Sequence, residues 1–195
     1  MKRIFDILVS GLILIFFLPF GLLFSFLIIF ESRGGIFYRQ QRIGKNNTPF
    51  KLFKFRSMRV DADKSGKLTV GMRDSRITKV GYFLRKYKLD EFPQFINVFI
   101  GQMSIVGPRP EVKEYVDLYN EEQRKVLNVK PGITDYASLE YFDENELLGK
   151  SENPQETYIK EIMPAKLELN KKYLSNPTIS HDISIMWKTF MKMIK

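Results

Sequence analysis

Asp90 and Glu91 stand side by side in a stretch otherwise crowded with cations. Lys54, Arg56, Arg59, Arg73, Arg76, Lys79, Arg85, Lys86 and Lys88 precede them, and Arg109 follows. Ammonium and guanidinium groups neutralise phosphate oxygens, and Arg does so with two parallel hydrogen bonds. Carboxylates in such surroundings can hold Mg²⁺, which prefers one or two protein carboxylates completed by substrate phosphates. A carboxylate can also attack phosphorus and form an acyl phosphate. Neighbouring residues on a helix point in different directions, so one of the pair can be the nucleophile and the other a base or metal ligand. Plainer readings stay open for the same residues. Acidic side chains favour the first turn of a helix, and Pro93 follows the pair closely. The basic set can be a solvated face, or a footprint on anionic lipid.

Arg109 lies between Pro108 and Pro110. Proline fixes φ and supplies no N–H, so the segment is stiff and extended, which suits presentation of a guanidinium to a phosphate. A rigid turn with an exposed Arg is the alternative. A second acidic stretch, Asp135, Glu140, Asp143 and Glu144, reads as a loop without metal-ligand spacing.

The rest of the composition narrows the chemistry. In 195 residues there is no cysteine and one histidine, which excludes disulfides, thiol nucleophiles and multi-histidine metal sites. That histidine, His181, reads as a helix-start or surface residue. Carboxylates, lysines, arginines and hydroxyls are left to do any catalysis. Lys and Arg exceed Asp and Glu by 31 to 22, a net charge of +9, which favours polyanionic partners. Neither a Gly-x-x-x-x-Gly-Lys-Ser/Thr loop nor a Gly-x-Gly-x-x-Gly turn is present.

Residues 7–30 form an uncharged run of 24 residues, more than the roughly 20 that cross a bilayer core as a helix. It ends at Glu31 without the small-residue site of a cleavable signal. Pro19 near its middle predicts a kink. Lys2 and Arg3 precede the run, and Arg33, Arg39, Arg42 and Lys45 follow it; basic flanks tend to stay cytoplasmic. A spanning helix and a re-entrant helix bent at Pro19 both fit. Beyond it, alternation predicts strands at 36–40 and 50–58, and residues 61–74 read as a loop. Helices are expected at 77–87, 90–100 and 111–127, an extended segment at 103–110 and a break at Pro131-Gly132. Two longer helices follow, around 158–174 and 179–194. The second carries Trp187 on an apolar face that suits either a core or a membrane interface.

Taken together, these blocks resemble the bacterial sugar transferases of the monotopic phosphoglycosyl transferase superfamily over almost the whole chain. The resemblance rests on Lys2-Arg3-Ile4-Phe5-Asp6, Phe37-Tyr38-Arg39-Gln40-Gln41-Arg42-Ile43-Gly44, the stretch from Phe50 to Met58 and that from Arg76 to Arg85. It continues through Leu89-Asp90-Glu91-Phe92-Pro93-Gln94, Asn97-Val98, the stretch from Gly101 to Pro110, and Lys130-Pro131-Gly132-Ile133-Thr134. It implies an α+β fold: a mostly helical, membrane-associated single domain with a few short strands. Residues 1–32 would form a re-entrant membrane helix broken at Pro19, and residues 33–195 a catalytic domain on the cytoplasmic face of the bacterial inner membrane.

The implied reaction moves a sugar-1-phosphate from a UDP-sugar to polyprenyl (undecaprenyl) phosphate and releases UMP, as the first membrane step of glycoconjugate assembly. Asp90 would form the covalent phosphosugar, and Glu91 would assist with Mg²⁺, held by the same two carboxylates, or with the proton. Lys54, Arg56, Arg85 and Arg109 would bind substrate phosphates, and membrane lipids, not nucleic acid, would be the surrounding partners. The family's helix break is a Ser-Pro pair, which here is Leu18-Pro19. Where many members continue with Gly and an aromatic after Thr134, this chain has Asp135-Tyr136. The competing reading is a membrane-anchored basic module that binds anionic lipid or nucleic acid without turnover; a nucleotide-sugar hydrolase is a further enzymatic alternative.

Overall fold

The computed structural model describes residues 1–60, 62 and 74–194. Most of the loop expected at 61–74, with Arg73, lies outside the described residues. The chain opens with helix α1, Lys2–Glu31. Where a break at Pro19 is expected, the helix continues through it as one element; the proline forfeits one backbone bond, to the Ile15 carbonyl, without ending the helix. Asp6, Ser10, Phe24 and Ile28 are buried, and between them Gly11 abuts Phe99 and Gly21 abuts Phe55. These positions recur at helical spacing. The opposite face is left open: Leu8, Leu12, Ile15, Phe16, Leu22, Leu23, Phe26 and Phe30 are all exposed. An apolar strip of that length is not a water-facing surface.

Polar side chains fasten both ends of α1 to the same body. Near its start, Arg3 donates to the carbonyls of Val98 and Phe99 at 2.6 and 2.8 Å, closing the end of helix α3 (Gln94–Ile100). Asp6 accepts from Ser104 Oγ and from the Ile105 amide, and Lys2 pairs with Asp182. At its far end, Glu31 accepts from the amides of Lys79 and Val80 at 2.6 and 2.8 Å, capping helix α2 (Lys79–Lys86).

Strands β1 (Phe37–Ile43) and β2 (Pro49–Phe55) form an antiparallel hairpin in the register Phe37↔Phe55 to Ile43↔Pro49. A second, parallel pair joins β3 (Ser104–Val106) to β4 (Gly132–Thr134), so the expected break at Pro131-Gly132 opens a strand. Here a glycine is required: a Cβ on Gly132 would stand 2.2 Å from the Gly107 nitrogen and 2.4 Å from its oxygen. Gly132→Ala should therefore destabilise the protein by about 3 kcal/mol, read as a lower urea midpoint in detergent; an unchanged midpoint would contradict this crossing.

The helix expected at 111–127 is divided into α4 (Lys113–Val116) and α5 (Glu121–Arg124). Asn120 caps α5 in a reciprocal box with Gln123, a signal for a new helix that apolar periodicity hides. The acidic stretch expected as a loop contains α6 (Tyr136–Glu140), capped by Asp135, and α7 (Glu144–Gly149). After α8 (Pro154–Thr157) come α9 (Met163–Leu174) and α10 (Ile179–Met193). His181 lies in the first turn of α10, its amide donating to Thr178 and its ring meeting the Asn176 carbonyl.

One apolar cluster joins Tyr115, Val116, Tyr119, Tyr158 and Leu167. A second joins Phe50, Leu52, Val98, Met103, Val106 and Ile185. A third seats α1 through Phe24 and Ile28 against Phe55 and Leu84.

Candidate functional site

Three elements converge on Asp90 and Glu91. The pair sits in a single tight turn, Leu89–Glu91, between α2 and α3. Lys88 enters that turn in the left-handed region with φ 55°, a conformation that costs a non-glycine residue about 1 kcal/mol. Its ammonium lies over the Phe142 ring, 4.8 Å from the centroid. Phe92, leaving the turn, stacks on Phe17 of α1 with centroids 4.1 Å apart. The acidic pair is thereby held beside the middle of the apolar helix, two residues from Pro19.

Neither carboxylate caps α3, whose N-cap is Pro93 with no side-chain bond. Glu91 Oε1 instead accepts from Lys54 Nζ at 2.9 Å and from Arg109 Nη2. Lys54 comes from β2, and Arg109 from the segment that leaves β3. Burial pushes Glu91 up, but Arg109 and Lys54 outweigh it and hold the carboxyl well below its ordinary range. Burial lowers Lys54 below the usual lysine value despite Glu91. Asp90 responds oppositely: it is 7% exposed, and burial raises it although Lys54 and Arg85 pull the other way. Two adjacent carboxylates are thus driven apart, one firmly ionised and ion-paired, the other a buried base of raised proton affinity. Carboxylates separated in this way are suited to different chemical roles.

Of the residues expected to meet phosphate, Lys54, Arg85 and Arg109 belong to this cluster; Arg85 acts on Asp90 through its charge. Arg56 does not. Its guanidinium donates to the carbonyls of Ile28, Ser32 and Arg33 and to Ser32 Oγ. It satisfies the orphan acceptors at the end of α1, and its assignment as a phosphate ligand gives way to that role. Alternation continued along the strand expected at 50–58 would put Arg56 on one face with Lys54, but β2 ends at Phe55 and the next side chain is free to turn away.

Arg109 is held from behind by residues that spacing alone did not single out. Its amide donates to Asp135 Oδ2 at 3.1 Å and its Nη1 to the Ile133 carbonyl at 3.3 Å. The fully buried Asp135 also accepts from the Ser138 amide at 2.6 Å; the Asp-x-x-Ser cap was the available signal. Arg42 donates to the Pro110 carbonyl and to Glu111 Oε1 at 3.2 and 2.8 Å, and Glu111 also accepts from the Tyr158 hydroxyl. These contacts fix the direction of the Pro108-Arg109-Pro110 segment.

Among the described residues no three His, Cys, Asp or Glu side chains group as a metal cage. Mg²⁺ does not need one. Lys54 and Arg109 both engage Oε1 of Glu91, so Glu91 Oε2 and the Asp90 carboxylate are the oxygens with the right chemistry for such an ion.

The molecule is thus an α+β domain that carries a buried carboxylate in a cationic nest, against an exposed apolar helix. A family model described as bacterial sugar transferase matches residues 1–195, and the chain belongs to that family. It is 38% identical over 198 residues to a UDP-glucose:undecaprenyl-phosphate glucose-1-phosphate transferase of Klebsiella pneumoniae, covering 98% of this chain and 39% of that one. An Aeromonas hydrophila UDP-N-acetylgalactosamine-undecaprenyl-phosphate N-acetylgalactosaminephosphotransferase is 34% identical, covering 99% and 43%. The uncharacterized sugar transferase EpsL of Bacillus subtilis (strain 168) is 33% identical, covering 100% and 87%. The chain therefore spans about two fifths of the length of the first two relatives.

Proposed function

We propose that the chain is a phosphoglycosyl transferase that moves a sugar-1-phosphate from a UDP-sugar to undecaprenyl or a similar polyprenyl phosphate, on the cytoplasmic face of the bacterial inner membrane. The observation that carries this reading is the buried Asp90 beside a Glu91 already neutralised by Lys54 and Arg109. A carboxylate with raised proton affinity, close to cations able to hold a diphosphate, is equipped to attack phosphorus. Phosphoryl transfer asks mainly for such positioning and charge stabilisation.

In the first step an Asp90 oxygen bonds to the sugar-bearing phosphorus, and the bond from that phosphorus to the bridging oxygen breaks, releasing UMP. In the second an oxygen of the lipid phosphate bonds to the same phosphorus, and the Asp90 carboxylate leaves unchanged. Lys54, Arg85 and Arg109 carry the phosphate charge, while Asp135 and Arg42 keep Arg109 aimed. Asp90 and Glu91 Oε2 would hold Mg²⁺, which supplies further neutralisation of phosphate charge.

Attachment of both ends of α1 to one body supports a helix that enters and leaves the membrane on the same side rather than crossing it. The Phe17–Phe92 stack would then hold the acidic turn near the level of a lipid phosphate. The exposed Ile183, Trp187 and Phe190 of α10, with Ile194 just beyond its end, suit an interfacial position. Relatives named for glucose and for N-acetylgalactosamine leave the donor sugar to be found by a screen of UDP-sugars. The test is UMP release from such a panel with and without polyprenyl phosphate. Release that depends on the lipid supports transfer; equal release without it would make the protein a hydrolase, and none with any donor would overturn the reading.

A further inference from the structure

Away from Asp90, a cleft of about 560 Å³ opens at the C-terminal end of α1, lined in part by Glu31, Arg33, Arg59, Val60, Thr78 and Lys79. Its volume lies in the range of small-ligand sites, about 300–1,000 Å³. Among the described residues that line it, three cations face one carboxylate, and Glu31 is spent on capping α2 through the Lys79 and Val80 amides. The walls are fixed by backbone. Arg56 holds the carbonyls of Ser32 and Arg33, the Thr78 amide donates to Ser57 O at 3.1 Å, and the Arg59 amide donates to Arg76 O at 2.9 Å. Arg33, Arg59 and Lys79 themselves are exposed.

The cleft opens where the apolar strip of α1 ends. Phe26, Leu27 and Phe30 are exposed on the helix, and Val60 is exposed at the rim. A cationic cleft beside an apolar strip fits a molecule with a phosphate head and a hydrocarbon tail. Cations near a helix C-terminus are favoured by its dipole alone, but that accounts neither for the cleft nor for its apolar rim. The described lining of the cleft shares no residue with the cluster around Asp90, and Lys79 and Arg85 are six residues apart on α2, about 9 Å along its axis.

We propose that this cleft binds the phosphate headgroup of a lipid whose chain lies along the outer face of α1. The inference rests on the membrane seating of α1 proposed above. The phosphate has two sources, an ordinary anionic phospholipid or the polyprenyl phosphate itself, and two arms distinguish them. The full chain is placed in phosphatidylcholine nanodiscs, with phosphatidylglycerol added stepwise in one arm and polyprenyl phosphate in the other. Lipid retained on the protein is read by native mass spectrometry, so the result does not depend on turnover.

Arg33→Gln/Arg59→Gln should weaken retention by about tenfold in one arm, and that arm names the source. Arg33→Lys/Arg59→Lys should keep most of it. Because both side chains are exposed, the fold should tolerate either pair; an unchanged melting temperature checks this. If the neutral pair retains both lipids as well as wild type, the proposal is overturned, whatever the enzyme assay shows. If the wild type turns over no donor yet the neutral pair loses lipid, the cleft stands and the transferase reading falls.

Discussion

Asp90→Asn is expected to lower turnover by a factor on the order of 10³ or more, the scale seen when an enzyme loses its covalent nucleophile. The same substitution should leave the protein as stable as before, or slightly more stable, near neutral pH. Both expectations come from the burial of Asp90. Burial raises its proton affinity above that of an ordinary carboxyl, and a group whose folded pKa is raised stabilises the fold at low pH and loses that contribution as pH rises through the folded value. Near neutrality wild-type Asp90 therefore carries a desolvation cost, and a neutral amide of the same shape does not.

The nucleophile must be ionised, so wild-type kcat/KM should climb with pH along a limb displaced above the ordinary aspartate range. Asn has no such limb. Mass analysis after mixing with the UDP-sugar alone should show a phosphosugar adduct on the Asp90 peptide of the wild type and none on the variant. Near wild-type turnover by the variant would remove Asp90 from the nucleophile's role. A large loss of melting temperature would instead give it a structural one.

What the sequence made readable was decided by how local each signal is. The apolar run, the hairpin and the long C-terminal helices announce themselves through periodicity within a few turns, and the structure contains them as α1, β1–β2, α9 and α10. The concentration of Lys54, Asp90, Glu91 and Arg109 was also visible, because a dense basic set around an acidic pair is a compositional fact. Side-chain direction was not visible. Lys54 and Arg56 are two residues apart in one motif, yet one meets Glu91 and the other closes α1, because the strand ends between them. Asp135 looked like part of a featureless acidic loop, since its partners are the Arg109 amide 26 residues away and a cap only four residues long. Glu91 could not be told from a helix cap until Lys54 and Arg109, 37 and 18 residues distant, were seen on its oxygen.

Glu91→Gln should then do what Asp90→Asn does not, and cost both stability and activity. Among the described residues Glu91 is the only carboxylate hydrogen-bonded to the side chains of Lys54 and Arg109, and removing one member of a buried ion cluster leaves the others uncompensated. A fifth of the Glu91 side-chain surface remains exposed, so the loss is smaller than for a fully buried pair, about 2 kcal/mol. Its pH dependence has a definite sign. The folded pKa of Glu91 lies well below the ordinary value, so its contribution is present above the unfolded glutamate pKa and disappears as pH falls through the folded one. The gap in melting temperature between wild type and Glu91→Gln should be widest near neutral pH and narrow in strong acid, where the wild-type carboxyl becomes as neutral as the amide. Activity should fall about 100-fold at neutral pH, because the Arg109 guanidinium loses the carboxylate that holds its Nη2. If Glu91 Oε2 also holds the metal, the Mg²⁺ concentration for half-maximal rate should rise about tenfold or more, a change that misplacement of Arg109 alone would not produce. A melting temperature equal to wild type at neutral pH would show that Lys54 and Arg109 do not depend on Glu91, and the division of roles between the two carboxylates would have to be redrawn.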